Sequence, residues 1–272
     1  HITMQEQTKK IQSIELGILK TVSEICDENK IDFYLIEGSL LGAVRHGGFI
    51  PWDDDVDIGM PRQDYERFLS IIADKLPSHL SLKSYKYDSN FHSYYARIID
   101  NRTKVIPEYL KFSGRYTGVW IDVFPLDGAP KSAMRRKCHY LSILRYKFML
   151  ALYYNDKNKK RSLPKRLIVN LFKPIITKMN VNKIKDSLDK RLRKFPFENS
   201  AYVGNFMSVY GYRGLVPHEY YGDGVPYKFE GLKLKGPSNS HCLLERLYGD
   251  YMELPPREDR TGHSIEVVNI DI

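Results

Sequence analysis

The chain has only three cysteines in 272 residues, Cys26, Cys138 and Cys242, far apart and forming no C-x-x-C. That excludes a disulfide framework and a zinc knuckle and fits a reducing compartment. Long apolar runs are missing as well. The best candidate, from His139 to Tyr154, is broken by Arg145 and Lys147, so no window reaches the roughly 18 apolar residues of a membrane span. The opening stretch carries Lys9 and Lys10 and then turns charged and amphipathic, without the apolar core of a secretory signal, which predicts a cytoplasmic protein. His1, Ile2 and Thr3 before Met4 read as a remnant and are set aside. Internal repeats and low-complexity tracts are not seen. What is present is core-forming material: 42% of residues are apolar and 12% aromatic, enough for one large domain or two small ones. Lys and Arg outnumber Asp and Glu by 42 to 33, which points to an anionic partner without choosing among nucleotide, nucleic acid, glycan or membrane.

Hydrophobic spacing gives the organisation. Ile11, Ile14, Ile18, Val22, Ile25 and Cys26 trace one helical face that ends near Asn29. Asp32 to Glu37 is short and β-prone, and Gly38-Ser39 follows, which predicts strand, tight turn, then a short helix from Ser39 to His46 with Ser39 as N-cap. The acidic segment Asp53 to Met60 ends at Pro61, and Tyr65, Phe68, Leu69, Ile72 and Leu76 then repeat with helical period, so Asp55 to Ile58 is expected as a strand delivering into a helix. Further strands are expected at Leu82 to Tyr87, Tyr94 to Ile99 and Val119 to Phe124, making an α/β (α+β) fold with a mixed sheet and flanking helices. From Lys131 to Lys194 there are 20 Lys and Arg against 3 Asp and Glu. This stretch also holds Leu144, Phe148, Leu167, Ile168, Leu171 and Phe172, so basic helices with apolar faces are expected, either as solvated surface or as a surface that meets an anionic membrane.

The chemistry concentrates in Asp53-Asp54-Asp55-Val56-Asp57. On a strand, residues two apart share a face, which sets the Asp55 and Asp57 carboxylates side by side. Hard oxygen ligands of this kind suit Mg²⁺ or Mn²⁺ together with substrate phosphates. An acidic loop that binds nothing is the plain alternative. The Gly38-Ser39 turn opens a helix whose N-terminus favours phosphate. Asp122, flanked by Ile121 and Val123, offers a third strand-borne carboxylate that completes a metal clamp and accepts a proton; its rival Asp127 follows Pro125 and reads as a turn residue. Arg45 and His46 either meet a pyrophosphate or cap the short helix. Trp52 either stacks on a pyrimidine, faces a ligand cation or packs in the core. Tyr248 and Tyr251 are candidates for an aromatic cage, Glu37 either supports the site from behind or is exposed at the surface, and His263 has no assigned role.

Three blocks carry a resemblance. Glu37-Gly38-Ser39-Leu40-Leu41-Gly42-Ala43-Val44-Arg45-His46 with Phe49-Ile50-Pro51-Trp52-Asp53-Asp54-Asp55-Val56-Asp57-Ile58 is similar to the signature of the LicD family, and Trp120-Ile121-Asp122-Val123-Phe124-Pro125 resembles its second block. Arg246-Leu247-Tyr248-Gly249-Asp250-Tyr251 resembles its C-terminal block. The resemblance implies a nucleotidyltransferase-type fold, with a catalytic core over residues 4–130, a basic helical segment over 131–196 and a C-terminal part over 197–272 that packs on the core. It implies a phosphotransferase that moves phosphocholine from CDP-choline to a sugar hydroxyl of a cell-surface glycan, such as a lipid-linked teichoic acid precursor, releasing CMP. Carried over by position, Asp55, Asp57 and Asp122 would be the catalytic and metal-binding residues, with Gly38 and Ser39 on the donor phosphate. Related enzymes transfer a polyol phosphate instead. The chain is thus expected at the inner face of the membrane, held through residues 131–194. The competing readings are a nucleotidyltransferase acting on RNA and a basic adaptor that binds polyanions; no RNP, KH or zinc-finger pattern supports a nucleic-acid partner.

Overall fold

The computed structural model describes residues 3–154 and 161–272. In chain order its elements are α1 (Met4–Glu28), β1 (Tyr34–Leu35), α2 (Glu37–His46), β2 (Asp57–Pro61), α3 (Arg62–Lys75), β3 (Leu80–Lys83), β4 (Ala96–Pro107), β5 (Thr117–Ala129) and α4 (Ala133–Tyr154). There follow α5 (Leu163–Ile176), α6 (Val181–Leu192), β6 (Tyr202–Gly204), β7 (Val216–Pro217), α7 (His218–Tyr221), β8 (Val225–Phe229), β9 (Leu232–Gly236), α8 (Ser240–Tyr248) and β10 (Ile265–Asn269). The α/β architecture is as expected. A mixed sheet runs β1-β2-β5-β4-β10, with β3 on β4 and with β6 and β7 continuing from β5. β2 and β5 are parallel and the remaining pairs antiparallel.

β5 organises the molecule. Val119, Ile121 and Val123 are buried along it; it pairs with β4 from Thr117 to Val123, with β2 from Asp122 to Leu126, and with β6 through its last residues. α1 lays the predicted Ile11, Ile14, Ile18, Val22 and Ile25 stripe on this core and ends at Asn29. Thr3 closes its other end, since the Thr3 side chain accepts from the Glu6 N–H while the Glu6 carboxylate accepts from the Thr3 N–H, a capping box. The basic stretch folds as α4, α5 and α6, joined by a small apolar cluster of Leu152, Val169, Ile176 and Ile184. Lys159 and Lys160, part of that stretch, lie outside the described residues. No described helix is long and apolar enough to cross a membrane.

Three local expectations are corrected. Ser39 is not an N-cap: α2 already starts at Glu37, whose φ of 49° turns the chain sharply out of β1, and Ser39 sits inside the helix with Oγ accepting the Asp57 N–H at 2.9 Å. β3 stops at Lys83, because the N–H groups of Tyr87 and Asp88 fold back onto the Ser84 carbonyl. Asp127 is not a turn residue. Pro125 lies within β5, and the Asp127 carboxylate is buried against Arg62, accepting from Nε at 2.8 Å and Nη2 at 2.6 Å.

Because Arg62 is itself buried, removing its closest partner leaves a charge that is relieved only in part by Glu66 at 3.2 Å and Asp189 at 3.4 Å. Asp127→Ala is expected to lower unfolding free energy by about 3 kcal/mol, measured by urea denaturation. A loss below about 1 kcal/mol would mean the bridge is no better than a surface pair.

Candidate active site

Parallel pairing places Asp57 of β2 opposite Asp122 of β5. The strand does not extend back through the acidic run as the alternation predicted. The Asp53 N–H bonds the Ile50 carbonyl in a turn, and pairing resumes only where the Asp122 N–H donates to the Val56 carbonyl at 2.9 Å. Asp53 and Asp55 therefore reach the site from a loop. Together with Asp57, Asp122, Glu37 and Gly38 they line a cavity of about 550 Å³. Aromatic side chains supply much of the remaining wall, including Tyr95, Tyr109, Trp120, Tyr210 and Tyr248. The absence of a side chain at Gly38 matters, since a Cβ there would stand 3.2 Å from Oδ2 of Asp53.

Burial raises the proton affinity of Asp55 and Asp57 first, and repulsion from neighbouring carboxylates adds to it. The Asp55 and Asp57 carboxyls are both held well above the ordinary range, Asp55 by desolvation and then Asp53, Asp57 by desolvation and then Asp55 and Asp122. Burial also raises Glu37, against hydrogen bonds from Ser208 and Asn205. Two cations answer the cluster. Arg97 of β4, opposite Asp122 in register, donates from Nε to Oδ1 at 2.7 Å and from Nη2 to Oδ2 at 3.3 Å. Its guanidinium lies 4.1 Å from the Trp120 ring centre. His263, from the segment before β10, places Nδ1 3.0 Å from Asp54 Oδ1 and Nε2 3.5 Å from Asp55 Oδ2. Its hydrogen bond to Asp54 and the surrounding carboxylates push it up to about 9. Strongly shifted groups gathered in one cleft are the physical mark of a functional site.

The donor set fits a divalent cation: hard carboxylate oxygens, crowded and short of positive charge. Asp57 and Asp122 face the cavity from the two strands, and Asp55 joins them from the loop before β2. Asp53, Asp54 and His263 form a second group that could hold a metal, with one ligand atom from each within 4.8 Å of the others.

The remaining candidates stand elsewhere. Ser39 lies behind the cavity wall, tied to Asp57. Arg45 donates to the Tyr251 carbonyl at 2.7 Å and to His46 Nε2 at 2.9 Å, and Trp52 packs between the His46 ring and the Arg260 guanidinium. None of these four lines the cavity. Residues that sequence reasoning left out are Arg97, Tyr109, Tyr210 and the role of His263. A signal for Arg97 existed in its predicted strand, but only the β4 to β5 register pairs it with Asp122. Glu15 was also missed: it is buried on α1, its Oε2 has no hydrogen-bond partner among the described residues, and burial holds its carboxyl well above the ordinary range.

With this geometry in view, residues 30–149 match the model of the LicD/FKTN/FKRP nucleotidyltransferase domain. The chain carries a LicD-family domain. It is 29% identical to the lipopolysaccharide cholinephosphotransferase LicD of Haemophilus influenzae over 97% of this chain and 97% of the relative. A shorter likeness, 56% identity over 34 residues, covers 12% of this chain and 7% of the human ribitol 5-phosphate transferase FKRP. An uncharacterized Rickettsia typhi protein is 44% identical over 55 residues, 20% of this chain and 18% of its own. The LicD-family domain contains Glu37, Gly38, the acidic run, Arg97 and Asp122, whereas Tyr210, Tyr248 and His263 come from the chain beyond it.

Raised carboxyl pKa values make the folded state bind more protons than the unfolded one, so Asp55 and Asp57 stabilise least when ionised. The His263 contribution is present below its unfolded pKa of about 6.5 and lost as pH rises through about 9. Both effects run the same way. The melting temperature of metal-free protein is expected to fall between about pH 5 and pH 9, and Mn²⁺ should raise it more at the alkaline end. A melting temperature that climbs with pH in chelator would contradict this account of the cluster.

Proposed function

We propose that this chain is a metal-dependent phosphotransferase that moves phosphocholine from CDP-choline to a sugar hydroxyl of a cell-surface glycan precursor and releases CMP. The observation that carries the reading is the meeting of Asp57 and Asp122 on parallel strands, with Asp55 beside them and the start of α2 at Gly38 facing the same cavity. The near full-length likeness to a lipopolysaccharide cholinephosphotransferase supports the reaction class and a glycan acceptor. A lipid-linked teichoic acid precursor and an oligosaccharide of lipopolysaccharide are equally compatible with it.

In this mechanism the positive end of the α2 dipole and the backbone at Gly38 bind donor phosphate. Asp55, Asp57 and Asp122 would hold Mg²⁺ or Mn²⁺, which when bound neutralises pyrophosphate charge and stabilises the departing CMP oxygen. The acceptor hydroxyl attacks the phosphorus that bears choline; the new oxygen to phosphorus bond forms as the bond to CMP breaks. Asp122 takes the hydroxyl proton. Arg97 positions that carboxylate through its fork and must yield one oxygen as the site loads. Aromatic rings above a bed of carboxylates suit a trimethylammonium group, which is drawn to both π-faces and negative charge. Tyr210 and Tyr248, in edge contact at 5.1 Å, are the rings assigned to it, since Arg97 already covers Trp120.

The short match to a ribitol 5-phosphate transferase favours a second reading in which the donor is a CDP-polyol. Donor choice is tested by comparing kcat/KM for CMP release from CDP-choline and CDP-ribitol. Choline should win, and Tyr210→Ala should narrow the gap by roughly tenfold, the effect of about 1–2 kcal/mol from a desolvated cation–π contact. Asp55→Asn and Asp57→Asn should each cost at least about 10²-fold in kcat, the scale of a lost electrostatic stabiliser, while the metal-free melting temperature holds or rises. Either variant turning over near the wild-type rate would sink the assignment.

The positive charge of residues 131–194 supports, in this reading, a position on the inner face of an anionic membrane.

A further inference from the structure

Amphipathic helices of globular proteins turn their apolar stripe to the core. α5 does the reverse. Leu163, Leu167, Ile168, Leu171, Phe172 and Ile175 all face outward, with Leu163 at 74%, Leu167 at 68% and Leu171 at 65% exposure, while the side against the protein holds Val169, Lys173 and Ile176. At 100° per residue those six side chains span one half of the helix. α4 extends the surface. Its exposed Leu144 and Phe148 lie one turn apart, and the Phe148 ring meets Phe172 at 6.4 Å. A contiguous apolar patch of this kind is uncommon on a protein that contacts only water.

Charge identifies the occupant. Neither α4 nor α5 contains an acidic residue. Beside α5 a cavity of about 450 Å³ is lined by Arg161, Arg166, Lys173 and Lys178, with no acid among the described lining residues. A second copy would bring two such cationic faces together, whereas an anionic phospholipid offers acyl chains to the patch and phosphate to the flanking cations.

We infer that α5 and the adjoining stripe of α4 insert into the interfacial layer of an anionic bilayer, with the apolar side chains among the acyl chains and the flanking cations at headgroup phosphates. This deepens the membrane placement proposed above, replacing attraction at a distance by a committed apolar contact. The contact resists salt, because screening shortens the reach of charges to about 3 Å at 1 M and leaves hydrophobic burial intact.

The test is co-sedimentation of the full chain with phosphatidylcholine vesicles, with and without phosphatidylglycerol, at low salt and at about 1 M salt. Wild type should bind the anionic vesicles best and keep part of that binding at high salt. Leu167→Gln with Leu171→Gln should reduce binding at both salt levels by roughly tenfold or more. Lys165→Gln, Arg166→Gln and Lys178→Gln together should remove the salt-sensitive part alone. CMP release from soluble CDP-choline should be unchanged in both, since none of these residues lines the acidic cavity; absence of that activity in wild type would defeat the transferase reading and leave the docking result standing. No binding to anionic vesicles at low salt overturns the inference. So does wild-type binding by the Leu167→Gln, Leu171→Gln variant, or a vesicle-free dimer that the same variant abolishes.

Discussion

Carboxylates gathered out of bulk water repel one another, and the architecture around the mouth of the β2 and β5 pair is arranged to answer that repulsion. Desolvation first lifts the proton affinity of Asp55 and Asp57, and neighbouring carboxylates raise it further, Asp53 for Asp55 and Asp55 with Asp122 for Asp57. Arg97 takes up Asp122 from one side, braced by Trp120 and by its own Nη1 bond to the Tyr109 hydroxyl. His263 spans Asp54 and Asp55 from another. Such a cluster is costly when empty of cation and favourable when one is supplied, which is the thermodynamic form of a binding site.

The fold supports that crowding with rigid parts. A parallel pair is the arrangement that puts residues at matching ends of neighbouring strands into one cleft, and here it is held in register by the buried Val56 to Pro61 segment on β5. The bond from the Asp57 N–H to Ser39 locks α2 against β2. The strained backbone at Glu37 turns the helix start toward the acids, at a position where strain is expected to serve function. Away from the cavity, the buried Asp127 carboxylate is taken up by Arg62, so that this pair braces the frame.

Charge is segregated along the chain. The acids converge on the cavity, while 20 of the 42 Lys and Arg fall between Lys131 and Lys194. The two regions meet where Lys147 of α4 donates to the Phe206 and Ser208 carbonyls, next to the Asn205 that donates to Glu37, and where Tyr154 of α4 packs on His92 of the cavity wall. An acceptor held at the helical surface and a donor held at the acids would thus be served by separate but adjoining parts of one fold.

Much of this was legible in the residues alone. The α1 stripe, the helix after Pro61, the mixed sheet, the basic helices and the choice of Asp55, Asp57 and Asp122 as candidates for one site follow from hydrophobic period and local chemistry, because these depend on neighbours a few positions away. The tertiary structure decided what depends on partners distant in sequence. Only register pairs Arg97 with Asp122, only the return of the chain along β4 brings His263 over Asp54, and only packing shows that Asp127 is a buried ion pair and that Arg45, His46 and Trp52 face away from the cavity. The outward turn of the α5 apolar face is of the same kind: the period of a helix determines that a stripe exists, and the neighbours it packs against determine which way the stripe points.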